Sequence, residues 1–546
     1  MTLSEMIDQF CASDSKNIVA EIEKVHAFFE IPVVPEYLTS EMLMAAFYRA
    51  LGFGGLKDST VLKNSRDLHR MMYNNEGFAS GAFNGSEVKK LLEDVLLSPE
   101  EPSQKRSQKY PEYLFLAPIV PETALFSNPV RLTRNLNAQG GNPWSVERLV
   151  KTLVSYCAES TEDSKRIWNC LFDKLSVAHN NEEDYFAQII QKVLLNAADA
   201  LRNQIDGVND RLPRWSISVN DSFDANRAKK YYKDRKCFSK ISPLDYIRSG
   251  LLSILELKPR FSRWQWVTML DSLLRVSSVA FVIWLLDSHR IIYQMIQSIV
   301  FENGIIDTEN PEDFFVREYN RHRTTTVFCY GEGSSKAEKK IVTDYGRSII
   351  RLSFLLAYVR QIDTVTYNKI DWSSISGFIH SLELLRGTFS NEDTREHFFT
   401  ALSQVLNQRS NDITLKAARI RHLIEFFRVL RQKLVIESQN DLIRNDQSFL
   451  VHQKADYVRA PYIVDFGSVA CFVMVYCCAL KDKNGTRRVF SLKDFKRYLC
   501  SFYVSVRPSH EEQFTEQLKG LGLTMDSPDA DDGLMIRNPF FEEADE

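Results

Sequence analysis

The residues with the strongest claim to chemistry lie in the segment Arg227 to Lys240, RAKKYYKDRKCFSK. Seven cations (Arg227, Lys229, Lys230, Lys233, Arg235, Lys236 and Lys240) stand against one acid, Asp234, with Tyr231, Tyr232 and Phe238 among them. Cations neutralise phosphates and release counterions, and aromatic rings stack on exposed bases, so this composition suits contact with DNA or RNA. The competing reading is a solvated helix face whose tyrosines pack inward. A second constellation is Asp245 followed by Glu256-Leu257-Lys258. A carboxylate and a Glu-x-Lys can hold Mg²⁺ and orient water, but only where adjacent strands make the carboxylates converge. The segment DYIRSGLLSILEL has helical periodicity instead, which predicts a solvent-facing Glu and Lys at a helix end. Glu87-Val88-Lys89 fails on the same ground.

Other motifs are missing. There is no GxxxxGK[ST] phosphate loop, and Gly331-Glu-Gly333-Ser-Ser-Lys336 has the wrong spacing, so it reads as a turn opening the following helix. The ten histidines form no HExxH, no CxxC occurs, and no GxSxG elbow is present. No catalytic residue, metal or cofactor is expected. A site assembled from distant residues, most plausibly that of a divergent metal-dependent nuclease, stays open as an alternative. Nine scattered cysteines in a chain this long read as reduced thiols, which points to a cytoplasmic protein. The N-terminus lacks a basic leader, and the apolar runs Val276–Leu286 and Phe466–Leu480 are shorter than a membrane span, so both are expected to be buried helices and no membrane contact is expected.

These residues sit in 546 positions that are 44% hydrophobic and 25% charged, with a net charge of −3. That balance suits a folded protein of several units and argues against coating nucleic acid with the whole surface. Amphipathic periodicity predicts a mainly α, multi-domain chain. Residues 1–97 form an N-terminal helical domain, in which Leu43, Phe47 and Leu51 share a face. Residues 98–143 read as a linker region, starting with the polar, proline-bearing SPEEPSQKRSQKYP. Residues 144–460 form the central helical part that carries segment 227–240. Trp264–Phe301 is expected to be two long buried helices meeting near Asp287-Ser288. Asp412–Val435 is expected to be one helix, with Ile413, Ile420, Phe427 and Leu434 at heptad spacing. The best strand candidate is Thr324–Tyr330.

Residues 461–546 change character. Helices are expected over Val464–Leu480, Ser491–Cys500 and Ser509–Leu521, followed by two extended stretches around the turn at Asp526. Three helices and a terminal hairpin is the order of a winged helix. Its third helix carries Glu511, Glu512 and Glu516 against Lys519, and Thr524–Glu546 holds eight acids against Arg537 alone. Phosphates would repel such a surface, so these glutamates are expected to bind a protein partner. Phe540 and Phe541, which open the acidic tail, are expected to bind a basic partner or to dock internally.

The segment from Leu518 to Phe540, LKGLGLTMDSPDADDGLMIRNPF, resembles the closing segment of accessory proteins in multi-gene bacterial anti-phage systems. The helical run opened by Arg263-Trp264 and reaching Trp284-Leu285 has the same general look. Among these families the chain is more similar to a Druantia-type accessory subunit than to a phosphorothioation-dependent restriction subunit. The resemblance implies a non-catalytic subunit of a defence complex, acting beside other subunits that include a separate helicase or nuclease. A purely protein-binding regulatory adaptor is the other alternative.

Overall fold

The computed structural model describes residues 40–51, 118–125, 161–177, 243–298, 328–362, 426–432, 447–454, 460–480, 487–525 and 534–540, with isolated positions in 149–157, 187–191, 313–317 and 368–403. Of these residues 73% are helical, so the protein is mainly α. The helices used below are α1 (Ser40–Ala50), α2 (Thr161–Leu175), α3 (Leu244–Glu256), α4 (Arg263–Ile296), α5 (Ser334–Ile362), α6 (Ser468–Ala479), α7 (Leu492–Ser501) and α8 (Glu511–Gly520). The strands are β1 (Phe328–Cys329), β2 (Val451–Gln453), β3 (Tyr462–Val464), β4 (Val489–Ser491), β5 (Val504–Ser505), β6 (Thr524–Met525) and β7 (Met535–Arg537).

The organising element is α4. Ser262 opens it with a capping box: its hydroxyl accepts from the Gln265 amide, and the Gln265 side chain accepts from the Ser262 amide. Nearly every side chain of its 34 residues is buried, so it is wrapped by protein on all sides. It packs against α3 and α6 and most extensively against α5. By length and composition α4 could cross a membrane, but its apolar window is 100% buried inside the protein. The expected break at Asp287-Ser288 does not occur, and one helix replaces the expected two. The two residues that would end an exposed helix each find a partner within it. Arg290 Nε donates to Asp287 Oδ1 at 2.8 Å, and the Ser288 hydroxyl donates to the Trp284 carbonyl at 2.8 Å.

Two other expected boundaries move. Of the helix expected over Asp412–Val435 only 426–432 lies among the described residues, and there Phe427–Leu430 is a 3₁₀ turn and Arg431 is extended and bridges to Val451. The helix expected from Val464 starts at Ser468, because Tyr462–Val464 pairs antiparallel with β2. Gly467 makes the turn between them, and a Cβ there would collide with the Gln447 carbonyl oxygen. In contrast, α1, α3, α7 and α8 lie where periodicity placed them, and β1 lies inside the expected strand.

Buried apolar residues from α1 through α8 belong to one continuous cluster that draws on all four sequence regions, including Ala124 from the stretch expected to be an exposed linker, where Ile119 and Val120 are buried too. Charged side chains knit it together. Arg263, 1% exposed, donates from Nε to the Ile119 carbonyl at 2.9 Å and from its other arm to the Leu175 carbonyl at the end of α2. A cation at a helix C-terminus complements the partial negative charge there. Arg248 on α3 grips Asp163 of α2 with two bonds of 3.1 Å. Glu338 of α5 pairs with Arg431 at 2.7 Å, and the Arg431 guanidinium lies 4.3 Å from the centre of the Tyr462 ring.

Glu122 yields a pH prediction. It is 2% exposed and accepts from Gln191 Nε2 at 2.6 Å. Burial raises its carboxyl pKa above the ordinary value, outweighing the pull of Gln191, its own backbone amide and Arg263. The native state therefore favours the protonated form. Its contribution to stability is complete below the unfolded carboxylate value and is lost as pH rises through the raised one. Glu122→Gln keeps an acceptor for Gln191 and cannot ionise. The variant is expected to unfold at higher urea than wild type near neutral pH, with the gap closing in mild acid. Urea midpoints at the two pH values measure this.

Candidate functional site

The C-terminal part of the chain carries the most complete candidate surface. α6 is apolar on every side and buried, which makes it the inner wall. Ser491 caps α7 by accepting from the Asp494 amide, as its position before the helix predicts. Leu492, Phe495, Tyr498 and Leu499 form the buried stripe of α7. α8 turns Phe514 and Leu518 inward, and the Phe514 ring stacks on Phe495 with centroids 5.9 Å apart. Behind these helices β4, β7 and β6 form an antiparallel sheet in that order, with Phe490 opposite Ile536 and Thr524 also opposite Ile536.

A polar seam fixes α8 against the rest of the protein. Gln517 Nε2 donates to the Phe466 carbonyl at 2.6 Å and to Asp465 Oδ1 at 3.0 Å, and Gln517 Oε1 accepts from the Tyr330 hydroxyl at 2.9 Å. Asp465 also accepts from the Phe466 amide and lies 3.1 Å from His452 Nδ1. The Tyr330 ring lies 4.9 Å from Phe514, edge to face. Below it, β1 pairs in parallel with β5, and Tyr503 delivers the strand. Tyr503 has φ 61 at the end of α7, where glycine is the usual choice. That conformation costs roughly 1–2 kcal/mol. It is kept by a fully buried ring and by the Tyr503 carbonyl, which accepts from the Phe328 amide at 2.8 Å.

Sequence reading missed this seam. Tyr330, His452, Asp465 and Gln517 are far apart in the chain, and none belongs to a motif. The chemistry of the seam is positional. Burial, then Asp465, pushes the Tyr330 hydroxyl and the Cys471 thiol well above their ordinary pKa values, so neither is a ready nucleophile. Among the described residues no group of three or more His, Cys, Asp or Glu could hold a metal ion. The seven described cysteines are free thiols, and burial pushes Cys477 up to about 12.

The anticipated site residues are distributed as follows. Segment 227–240 and Phe541 lie outside the described residues. On α8, Glu512 and Glu516 are exposed, with Glu516 3.1 Å from Lys519. Glu511 is bonded to Lys496 of α7 at 2.6 Å. Phe540 takes the internal option: its ring sits edge to face with Phe261 and Tyr476, both at 5.2 Å, and its carbonyl accepts from Arg260 at 2.9 Å. Asp245 and Glu256 lie on one helix, α3, separated by a rise of roughly 16 Å, so they cannot share an ion. Lys258 donates to the Lys174 carbonyl at 2.9 Å. Comparison with family models, curated proteins and solved structures finds no match for this chain.

Proposed function

We propose that this chain is a non-catalytic, cytoplasmic subunit of a bacterial anti-phage defence complex, a helical scaffold that docks partner proteins through a C-terminal winged helix. The defence setting rests on the resemblance of residues 518–540 and implies partners that include a separate helicase or nuclease. The winged-helix reading is supported by the order α6, β4, α7, α8, β6, β7 and by a sheet in which β7 is central. One observation carries the docking role: the outward face of α8 presents Glu512 and Glu516, while its one long neutral inward side chain, Gln517, is spent on the seam. A helix with that charge repels phosphates and suits a basic protein surface. Segment 227–240 supplies contact with nucleic acid in this reading.

The test is co-elution on size exclusion of the full chain with each protein encoded beside its gene, using wild type and Glu512→Lys/Glu516→Lys. The scaffold reading expects one neighbour to co-elute with wild type and to separate from the variant. If wild type elutes alone with every neighbour, or the variant co-elutes unchanged, the reading is overturned.

A further inference from the structure

We propose that His452 is a proton-operated clamp that tightens the hold of the rest of the protein on α8. As a regulator of the face carrying Glu512 and Glu516 it rests on the docking reading above. The pairing of β2 with β3 brings His452 and Asp465 together. His452 stands opposite Ile463, and Asp465 follows Ile463 by two residues, so the two side chains leave the same face of the ladder. The Asp465 amide extends that ladder by donating to the Leu450 carbonyl at 2.9 Å, which fixes where its carboxylate sits.

The carboxylate has two duties. Oδ1 accepts from the Phe466 amide and from Gln517 of α8. Oδ2 lies 3.1 Å from His452 Nδ1, but the contact is not aligned as a hydrogen bond. A neutral imidazole gains little from such a geometry, whereas a charged one is attracted whatever the angle. Histidine changes charge between roughly pH 5 and 8, a window in which carboxylates ordinarily stay ionised. The attraction is therefore present at the acid end and lost as pH rises. With the ring charged, both carboxylate oxygens are held, and Gln517 is tied to a fixed acceptor.

Among the described residues, the other ionisable groups near the pair do not reproduce this response. Tyr330, just after β1, and Cys471 on α6 approach Asp465, and burial, then Asp465, pushes both well above the window. Lys454 lies two residues beyond His452 and is exposed, and lysines keep their charge at these pH values. Tyr462, with Arg431 over its ring, lies on the opposite face of the ladder. His510 is the exception, because it packs on Gly331 and directly precedes α8. A positive charge there opposes the helix dipole, so protonating His510 loosens α8 where protonating His452 tightens it.

The test is amide hydrogen exchange of the full chain, read by mass spectrometry at about pH 5.5 and about pH 8, the two ends of the histidine window. Each rate is corrected for the intrinsic effect of pH on exchange, and α8 is compared with α3 in the same sample. Three proteins are measured: wild type, His452→Gln and His510→Gln. Protection of α8 in wild type is expected to be about two- to fivefold greater in acid, the scale of a partly exposed ion pair. The rise should persist or grow in His510→Gln and vanish or reverse in His452→Gln. A rise seen only in His510→Gln also supports the clamp, since the two rings then offset each other in wild type. The proposal is overturned if neither wild type nor His510→Gln shows a rise, or if His452→Gln retains it. Exchange is read with no partner present, so the clamp and the docking role of α8 can fail separately.

Discussion

Replacing Asp271 with Ala is expected to cost about 3–5 kcal/mol, the range for removing one partner of a buried ion pair. Asp271 Oδ2 accepts from Arg275 Nε at 2.9 Å, one turn further along α4, and from the Ser448 hydroxyl at 3.2 Å. Ser272 returns a bond to the Ser448 carbonyl at 3.3 Å. The pair thus fastens α4 to the segment that leads into β2. Arg275 is 2% exposed, so without Asp271 its charge would stay in the core with its main counterion gone. The attraction is not what makes the effect large, because a buried pair recovers little more than its desolvation penalty. The cost comes from the stranded partner. Accordingly Asp271→Leu with Arg275→Met is expected to be less harmful than Asp271→Ala alone. Urea unfolding of Asp271→Ala and of the double decides it. A single variant within about 1 kcal/mol of wild type would show that Arg275 finds water or another acceptor.

The contrast between what periodicity revealed and what it hid has a physical basis. α7 and α8 were legible because each is a short surface helix with one apolar stripe, and Ser491 is a cap that acts on its own neighbours. The chemistry of capping and of i, i+4 spacing is local, so it is visible in a local reading. α4 was misjudged for the opposite reason. A surface helix would end at Asp287-Ser288, but this buried one keeps going, with Arg290 bonded to Asp287 and the Ser288 hydroxyl bonded to the Trp284 carbonyl. The extended Tyr462–Val464 was hidden within an apolar run that suits either state. Only its partner β2 selects the strand.

The candidate surfaces divide along the same line. The charge of α8 was readable in Glu512 and Glu516, and its inward stripe in Phe514 and Leu518. What it docks against was not, because the Gln517 partners Tyr330, Asp465 and Phe466 come from distant parts of the chain. The same holds for α7. Its cations are visible in sequence, but that Arg487 holds the Cys478 carbonyl and lies over Phe490, and that Lys496 holds Glu511, requires those partners in place.

The other large effect is expected at Trp266, where truncation to Ala should cost about 3–5 kcal/mol. The side chain is fully buried near the start of α4, and its indole nitrogen donates to the Ile254 carbonyl on α3 at 2.6 Å. The Lys258 ammonium lies 5.6 Å from the ring centre, on the turn that joins the two helices. One residue thus sets the packing of α3 on α4 and closes the connection between them. Ala removes the ring, leaves a cavity that two long helices cannot easily collapse, and takes away the hydrogen bond. Trp266→Phe keeps most of the volume and loses the indole N–H, so its cost should be smaller, on the order of 1–2 kcal/mol. Denaturant midpoints for the two variants separate the contributions. If Phe were as damaging as Ala, the hydrogen bond to Ile254 would be the dominant tie between α3 and α4. If both were mild, the contact of α3 with α6, where Gly250 lets Cys477 approach closely, would hold α3 without help from the indole.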